Sequence, residues 1–172
     1  MDQTTPATLH EQLETTHVAA FGWALACCRG DRHAAEEVLH NVYVAILEGR
    51  ARFEGRSAFR TWLFSIIRIS ARAGRRREWL RGLLLRNNAE ALHPAPAPDS
   101  IASAERASRA EHLRAALATL STRQREVLHL VFYESLTVDE AARVMRVSVG
   151  SARTHYARGK ERLATLLGGA DL

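Results

Sequence analysis

The sequence predicts an all-α protein of two small helical domains joined by a flexible linker, with a helix-turn-helix in the second. Apolar residues in the 172-residue chain recur at spacings of three and four, the period of a helix with one inward face. That pattern fails once, at RNNAEALHPAPAPDS (residues 86–100), which holds three of the four prolines and reads as an extended, semi-rigid spacer. Two Ser/Thr-x-x-Gln/Glu capping boxes punctuate the C-terminal third. The expected boundaries are residues 1–82, a linker over 83–103, and residues 104–172.

In chain order, Leu9 to Cys28 favours a helix with Leu9, Leu13, Ala20, Ala24 and Cys27 or Cys28 near one side. Gly30-Asp31 breaks it, and Asp31 can cap a second helix from Arg32 to about Glu48. The second helix buries Ala35, Val38, Leu39, Val42 and Ile46, and its other face carries Glu36, Glu37, His40 and Asn41. Such a face is either solvated or docks on a basic protein surface. A two-glycine loop, GRARFEGR, leads into a long helix from Ser57 to about Trp79. There Phe59, Trp62, Leu63, Ile66 and Ile67 face a core, while Arg60, Phe64, Arg68 and Arg72 stand at steps of four ahead of Arg75-Arg76-Arg77. An arginine stripe holding an exposed aromatic suits single-stranded nucleic acid, because bases stack on rings while guanidinium groups hold phosphates. The alternative buries Phe64 and leaves the arginines solvated.

A helix resumes from about Ile101 to Thr119. The closing stretch, Leu120 to Leu167, reads as two short helices, a tight turn and a longer helix. Ser121 with Gln124 and Thr137 with Glu140 set two starts. In the last helix Val149, Ala152, Tyr156, Gly159, Leu163 and Leu166 face inward, and Gly150, Thr154, Ala157 and Glu161 face outward with Arg153 and Arg158 on the flanks. Gly168-Gly169 is a stop signal, and the small pair Ala141-Ala142 permits close packing of the preceding helix. The pattern fits a helix-turn-helix whose second helix enters the DNA major groove. An antiparallel helical pair that only packs is the alternative.

The net charge of +5 is unevenly spread. Residues 1–49 carry two basic and seven acidic side chains, residues 50–86 eleven and two, and residues 121–172 eight and six. A basic middle favours phosphate contact. No apolar run approaches the roughly 18–20 residues that cross a bilayer, and the polar N-terminus lacks a signal-peptide core, so a cytoplasmic protein without membrane insertion is expected. Adjacent Cys27 and Cys28 are too close for a disulfide framework; small core residues are expected, with redox or metal sensing as the alternative. His33 and His40 lack a third ligand, so no metal site is assigned. Consecutive Glu36 and Glu37 diverge by about 100° on a helix and do not form an acid–base pair. Neither a Gly-rich phosphate loop nor a nucleophile elbow occurs, so no enzyme activity, cofactor or small-molecule substrate is expected.

Two stretches share one resemblance. Leu120, Gln124-Arg125-Glu126-Val127-Leu128, Glu134-Ser135-Leu136-Thr137, Glu140, Ala142, Val149-Gly150-Ser151, Arg153, Arg158 and Lys160 resemble the promoter-reading C-terminal domain of bacterial extracytoplasmic-function sigma factors. GDRHAAEEVLHNVYVAIL and FEGRSAFRTWLFSIIR resemble the N-terminal domain of the same family. The resemblance covers about residues 20–80 and 105–167, in the family's order.

It implies a transcription initiation factor with core RNA polymerase and promoter DNA as partners, commonly held by an anti-sigma factor. By carry-over, Glu36, Glu37, Val38, His40 and Asn41 would contact polymerase. Arg60, Trp62, Phe64, Arg68 and Arg72, with Arg75 and Arg76 beyond them, would line the −10 strand. Arg153, Thr154 and Arg158 would meet the −35 element, Gly150 and Ser151 would allow close approach, and Lys160 would hold phosphate. His40, Asn41, Ile69 and Ala73 depart from the family's usual residues, and Arg146 stands where Gly is usual. A duplex-binding helix-turn-helix regulator and a pure protein-interaction bundle are the rival readings. The regulator leaves the arginine stripe and residues 32–48 unexplained.

Overall fold

The computed structural model describes residues 6–85 and 101–168. The described residues hold seven helices: α1 (Pro6–Cys27), α2 (Arg32–Leu47), α3 (Phe59–Leu85), α4 (Ile101–Ala118), α5 (Thr122–Phe132), α6 (Val138–Met145) and α7 (Val149–Leu166). Helices α1–α3 pack on one another, as do α5–α7, and α4 leans on α7. The linker expected over residues 83–103 falls mostly outside the described residues. Helix α3 continues to Leu85 and α4 begins at Ile101, and residues 86–100 lie outside the described part.

Local chemistry sets most helix ends. Asp31 caps α2 by accepting from the Ala34 N–H at 3.0 Å. Both expected capping boxes form: Ser121 and Gln124 bond reciprocally at α5, and Thr137 and Glu140 do so at α6. Ser148, not singled out in the sequence, caps α7 through the Ser151 N–H. Helix α1 closes with Arg29 left-handed at φ 59°, and the Gly30 N–H reaches back to the Leu25 carbonyl at 2.9 Å. Arg146 likewise sits at φ 53°, and the Val147 N–H donates to the Ala142 carbonyl at 3.1 Å. This is the turn position where glycine would be unstrained, and an L-residue there costs on the order of 1 kcal/mol.

The buried face of α2 is Ala35, Val38, Leu39, Val42 and Ile46, as its spacing predicts. Cys27 and Cys28 are buried free thiols in the core. Burial pushes both thiols up from their ordinary pKa, which disfavours the reactive thiolate. In α7 Ala152, Gly159 and Leu163 are buried, whereas Leu166, expected inside, is exposed at the helix end. Gly159 lets α5 and α7 pack closely: an added Cβ would lie 2.9 Å from Leu128 Cδ1, so that side chain would have to shift.

One apolar cluster runs through both helical units. Trp23, Leu63, Phe64 and Ile67 from the first share it with Val127, Leu130, Ala141, Val144 and Met145 from the second. Helix α3 packs on α6 and α1 on α5, so the two units meet face to face.

Candidate nucleic-acid interface

Helix α7 is seated by small residues. Ala141, Ala142 and Ala152 are all at most 1% exposed, which lets α6 and α7 approach closely. Its opposite side then stands clear of the bundle. Gly150, Ser151, Arg153, Thr154 and Arg158 are exposed there together. An added Cβ at Gly150 would meet nothing within 4 Å, so the helix N-terminus can approach a partner closely. Arg153 makes a long 3.5 Å contact with Asp139, both largely solvated, and Thr154 donates to its own helix at the Gly150 carbonyl, 3.0 Å. Lys160 lies half-buried at the flank, its Nζ 5.9 Å from the centre of the Tyr156 ring. A solvent-facing helix N-terminal turn followed by guanidinium groups can bind phosphate and read base edges.

The acidic face of α2 is also on the surface. Glu36, Glu37, His40 and Asn41 are exposed, and Glu36 pairs with Arg32 at 2.9 Å. Val38 is a correction to the expected docking set. It is 7% exposed and belongs to the core, because it lies on the inward stripe of α2 with Leu39 and Val42.

The long α3 divides its candidates three ways. Trp62 is half-buried in an aromatic group with Phe53 and Phe59, ring centres 5.3 and 5.5 Å away. The loop leading to this group carries exposed Arg50, Arg52 and Arg56. Arg72 and Arg76 are exposed, and Arg75 donates to the Cys27 carbonyl. Arg60, Phe64 and Arg68 instead turn toward the second helical unit. Phe64 is fully buried and Arg68 is 2% exposed, which corrects the expectation of a solvent-facing stripe with an exposed ring. The alternative of solvated arginines fails as well for Arg68.

Partners from the other unit explain this burial. Arg68 donates to Glu126 Oε2 at 2.8 Å and to the Met145 carbonyl at 2.8 Å. Arg60 pairs with Glu134, and its guanidinium lies 5.2 Å from the centre of the Phe64 ring. Glu134 also meets His129 at 3.3 Å. Burial opposes the Glu134 charge, but hydrogen bonds from His129 and Arg60 outweigh it and hold the carboxyl below its usual range. Trp23 donates to the Phe64 carbonyl at 2.9 Å and stands against His129, ring centres 5.4 Å apart. Sequence reasoning missed Trp23, Glu126, His129 and Glu134 as a group. Nothing in the spacing of Arg60 and Arg68 signals acceptors 58 to 77 residues further along the chain.

Among the described residues no group of three or more His, Cys, Asp or Glu side chains is placed to hold a metal ion. No helix among them is long and apolar enough to cross a membrane.

The Sigma-70 region 2 family matches residues 14–81, and the Sigma-70 region 4 family matches residues 110–163. The chain is 29% identical over 134 residues to the ECF RNA polymerase sigma factor SigX of Bacillus subtilis, covering 75% of this chain and 68% of that protein. It is 29% identical over 138 residues to the RNA polymerase sigma factor CarQ of Myxococcus xanthus, covering 80% and 77%. In structure it resembles the sigma factor RpoE of Bartonella quintana, solved with the anti-sigma factor NepR. The TM-score is 0.71 at 21% identity, over 95% of this chain and 98% of that one. It also resembles CnrH, solved with the cytosolic domain of CnrY, at a TM-score of 0.65 and 23% identity over 98% and 93%.

Proposed function

This chain belongs to the extracytoplasmic-function sigma factors of the sigma-70 family, and we propose how its surfaces divide the work of starting transcription. It is a DNA-binding initiation factor that directs core RNA polymerase to a two-part promoter. Helix α7 reads the −35 duplex through Arg153, Thr154 and Arg158, with Gly150 and Ser151 letting its N-terminus come close. Lys160 at the flank holds phosphate, which sets register rather than sequence. The acidic face of Glu36, Glu37, His40 and Asn41 docks on polymerase. The −10 strand is held by α3, with Trp62 and its neighbours Phe53 and Phe59 offering stacking surface and Arg60, Arg68, Arg72, Arg75 and Arg76 offering phosphate contacts. The work is cytoplasmic, and an anti-sigma partner restrains it by covering polymerase-binding surfaces.

The observation that carries this reading is the outward face of α7. Small buried residues seat the helix, and its exposed side gathers the first turn, at Gly150 and Ser151, and two arginines. The test is run-off transcription of fragmented source-genome DNA by bacterial core polymerase with the purified chain. New start sites preceded by two spaced motifs are expected. Failure to bind polymerase or initiate, even after a denature–refold step that strips any inhibitor, overturns the reading in favour of a stand-alone regulator.

A further inference from the structure

We propose that Arg29, Arg75 and Arg125 form an anion-binding notch at the seam between the two helical units, suited to a compact, multiply charged phosphate group. Each arginine comes from a different element: Arg29 from the turn between α1 and α2, Arg75 from α3, and Arg125 from the first turn of α5. The notch stands apart from the outward face of α7 and the acidic face of α2. It shares only Arg75 with the strand path proposed above and does not depend on that assignment.

Helix packing brings the three together. Trp23 meets His129 with ring centres 5.4 Å apart, where α1 packs on α5. Cys27 is one turn further along α1 and Arg125 one turn back along α5, so the end of α1 lies by the start of α5. The charge of Glu126 acts on the Cys27 thiol, in keeping with that direction. Arg68 pins α3 to α5 through Glu126, and Arg75 follows two turns later on the same side of α3. Its guanidinium donates to the Cys27 carbonyl at the end of α1, and Arg29 stands two residues beyond that carbonyl.

The cluster differs from an ordinary solvated basic surface. Arg75 and Arg125 are half-buried, and both are steadied by neutral acceptors: Arg75 by the Cys27 carbonyl and Arg125 by the Ala118 carbonyl at 3.4 Å. A carbonyl orients a guanidinium without cancelling its charge. The nearby carboxylates have other duties, Glu126 pairing with Arg68 and Asp31 capping α2. Burial first, and then the charges of Arg29 and Arg75, push the Arg125 guanidinium below its usual pKa, with Glu126 opposing them. Arg29 is also held left-handed at φ 59°, a strained conformation for arginine of the kind that concentrates at ligand clamps. Phosphate oxygens accept charge-assisted hydrogen bonds from guanidinium, often two at once, and would relieve this crowding of like charge. Arg29 and Arg75 belong to the first unit and Arg125 to the second, so a bound anion ties the two and stabilises the chain by mass action.

The test titrates sodium pyrophosphate into the full chain by calorimetry, at an ionic strength held constant with sodium chloride. Wild type is compared with Arg29→Gln/Arg125→Gln, which leaves every residue of the proposed promoter and polymerase surfaces in place. Arg114→Gln/Arg162→Gln, which removes two exposed arginines elsewhere, serves as control. Expected are saturable binding by wild type and a melting point that rises with pyrophosphate. The double variant should bind at least about tenfold more weakly, because a hydrogen bond between charged groups contributes that much. No saturable binding by wild type, or equal weakening in the control, overturns the proposal. Should the double variant fail to fold, Arg29→Gln alone, at an exposed turn, carries the comparison, and unchanged affinity there overturns the notch. Repeating the titration with a mixed-sequence single-stranded oligonucleotide separates the sources of phosphate. Weakening for pyrophosphate alone identifies a small phosphorylated ligand, and weakening for both shows that the notch also takes a nucleic-acid phosphate.

Discussion

Arg153→Ala separates DNA reading from folding. The side chain is largely solvated, and its one polar partner, Asp139, lies 3.5 Å away on an equally open surface. Exposed pairs of this kind contribute about 0–1 kcal/mol, and alanine is the best helix former, so the substitution should change stability by no more than about 0.5 kcal/mol. Removing a guanidinium that hydrogen-bonds a base edge should cost about 1–3 kcal/mol of promoter binding. At about 1.4 kcal/mol per tenfold, that is roughly a fivefold to 150-fold weakening. The assay is run-off transcription with core polymerase at fixed salt, over promoters varied one base at a time in the −35 element, beside a thermal melt. The expected weakening is confined to one or two base positions, with an unchanged melt. An unchanged −35 preference removes Arg153 from the reading set. A uniform weakening across all sequences makes it a phosphate-binding residue instead.

Two further outcomes follow from backbone and carboxylate chemistry. Arg146→Gly should relieve the left-handed turn between α6 and α7, stabilising the protein by about 1 kcal/mol and raising the melting point by about 2–4 °C. Lack of any gain in calorimetry shows that the turn is unstrained. Hydrogen bonds from the Thr137 N–H and hydroxyl, each 2.8 Å, hold the Glu140 carboxyl below its usual range. Its contribution is complete above the ordinary glutamate pKa of about 4.3 and disappears as pH falls through the lowered folded value. The stability gap between wild type and Glu140→Gln should therefore be largest near neutrality and shrink in acid. A gap that is the same at both ends of a denaturant series from neutral to strongly acidic pH refutes the linkage.

Most of what depends on neighbours along one helix was legible in the sequence, the Ser148 cap and the exposed Leu166 excepted. The inward stripe of α2, the boxes at Ser121 and Thr137, the Asp31 cap and the outward face of α7 all involve residues within a turn or two, where spacing fixes direction. The turn at Arg146 was legible too, as the position where a glycine is expected. Only tertiary structure decided the fate of α3. Its step-of-four stripe reads as one solvated face because arginine is rarely buried without a partner. The partners, Glu126, Glu134 and the Met145 carbonyl, come from 58 to 77 residues further along the chain. A buried guanidinium is tolerable only when distant acceptors converge on it, and helical periodicity records which side a residue faces, not what the rest of the chain brings to meet it.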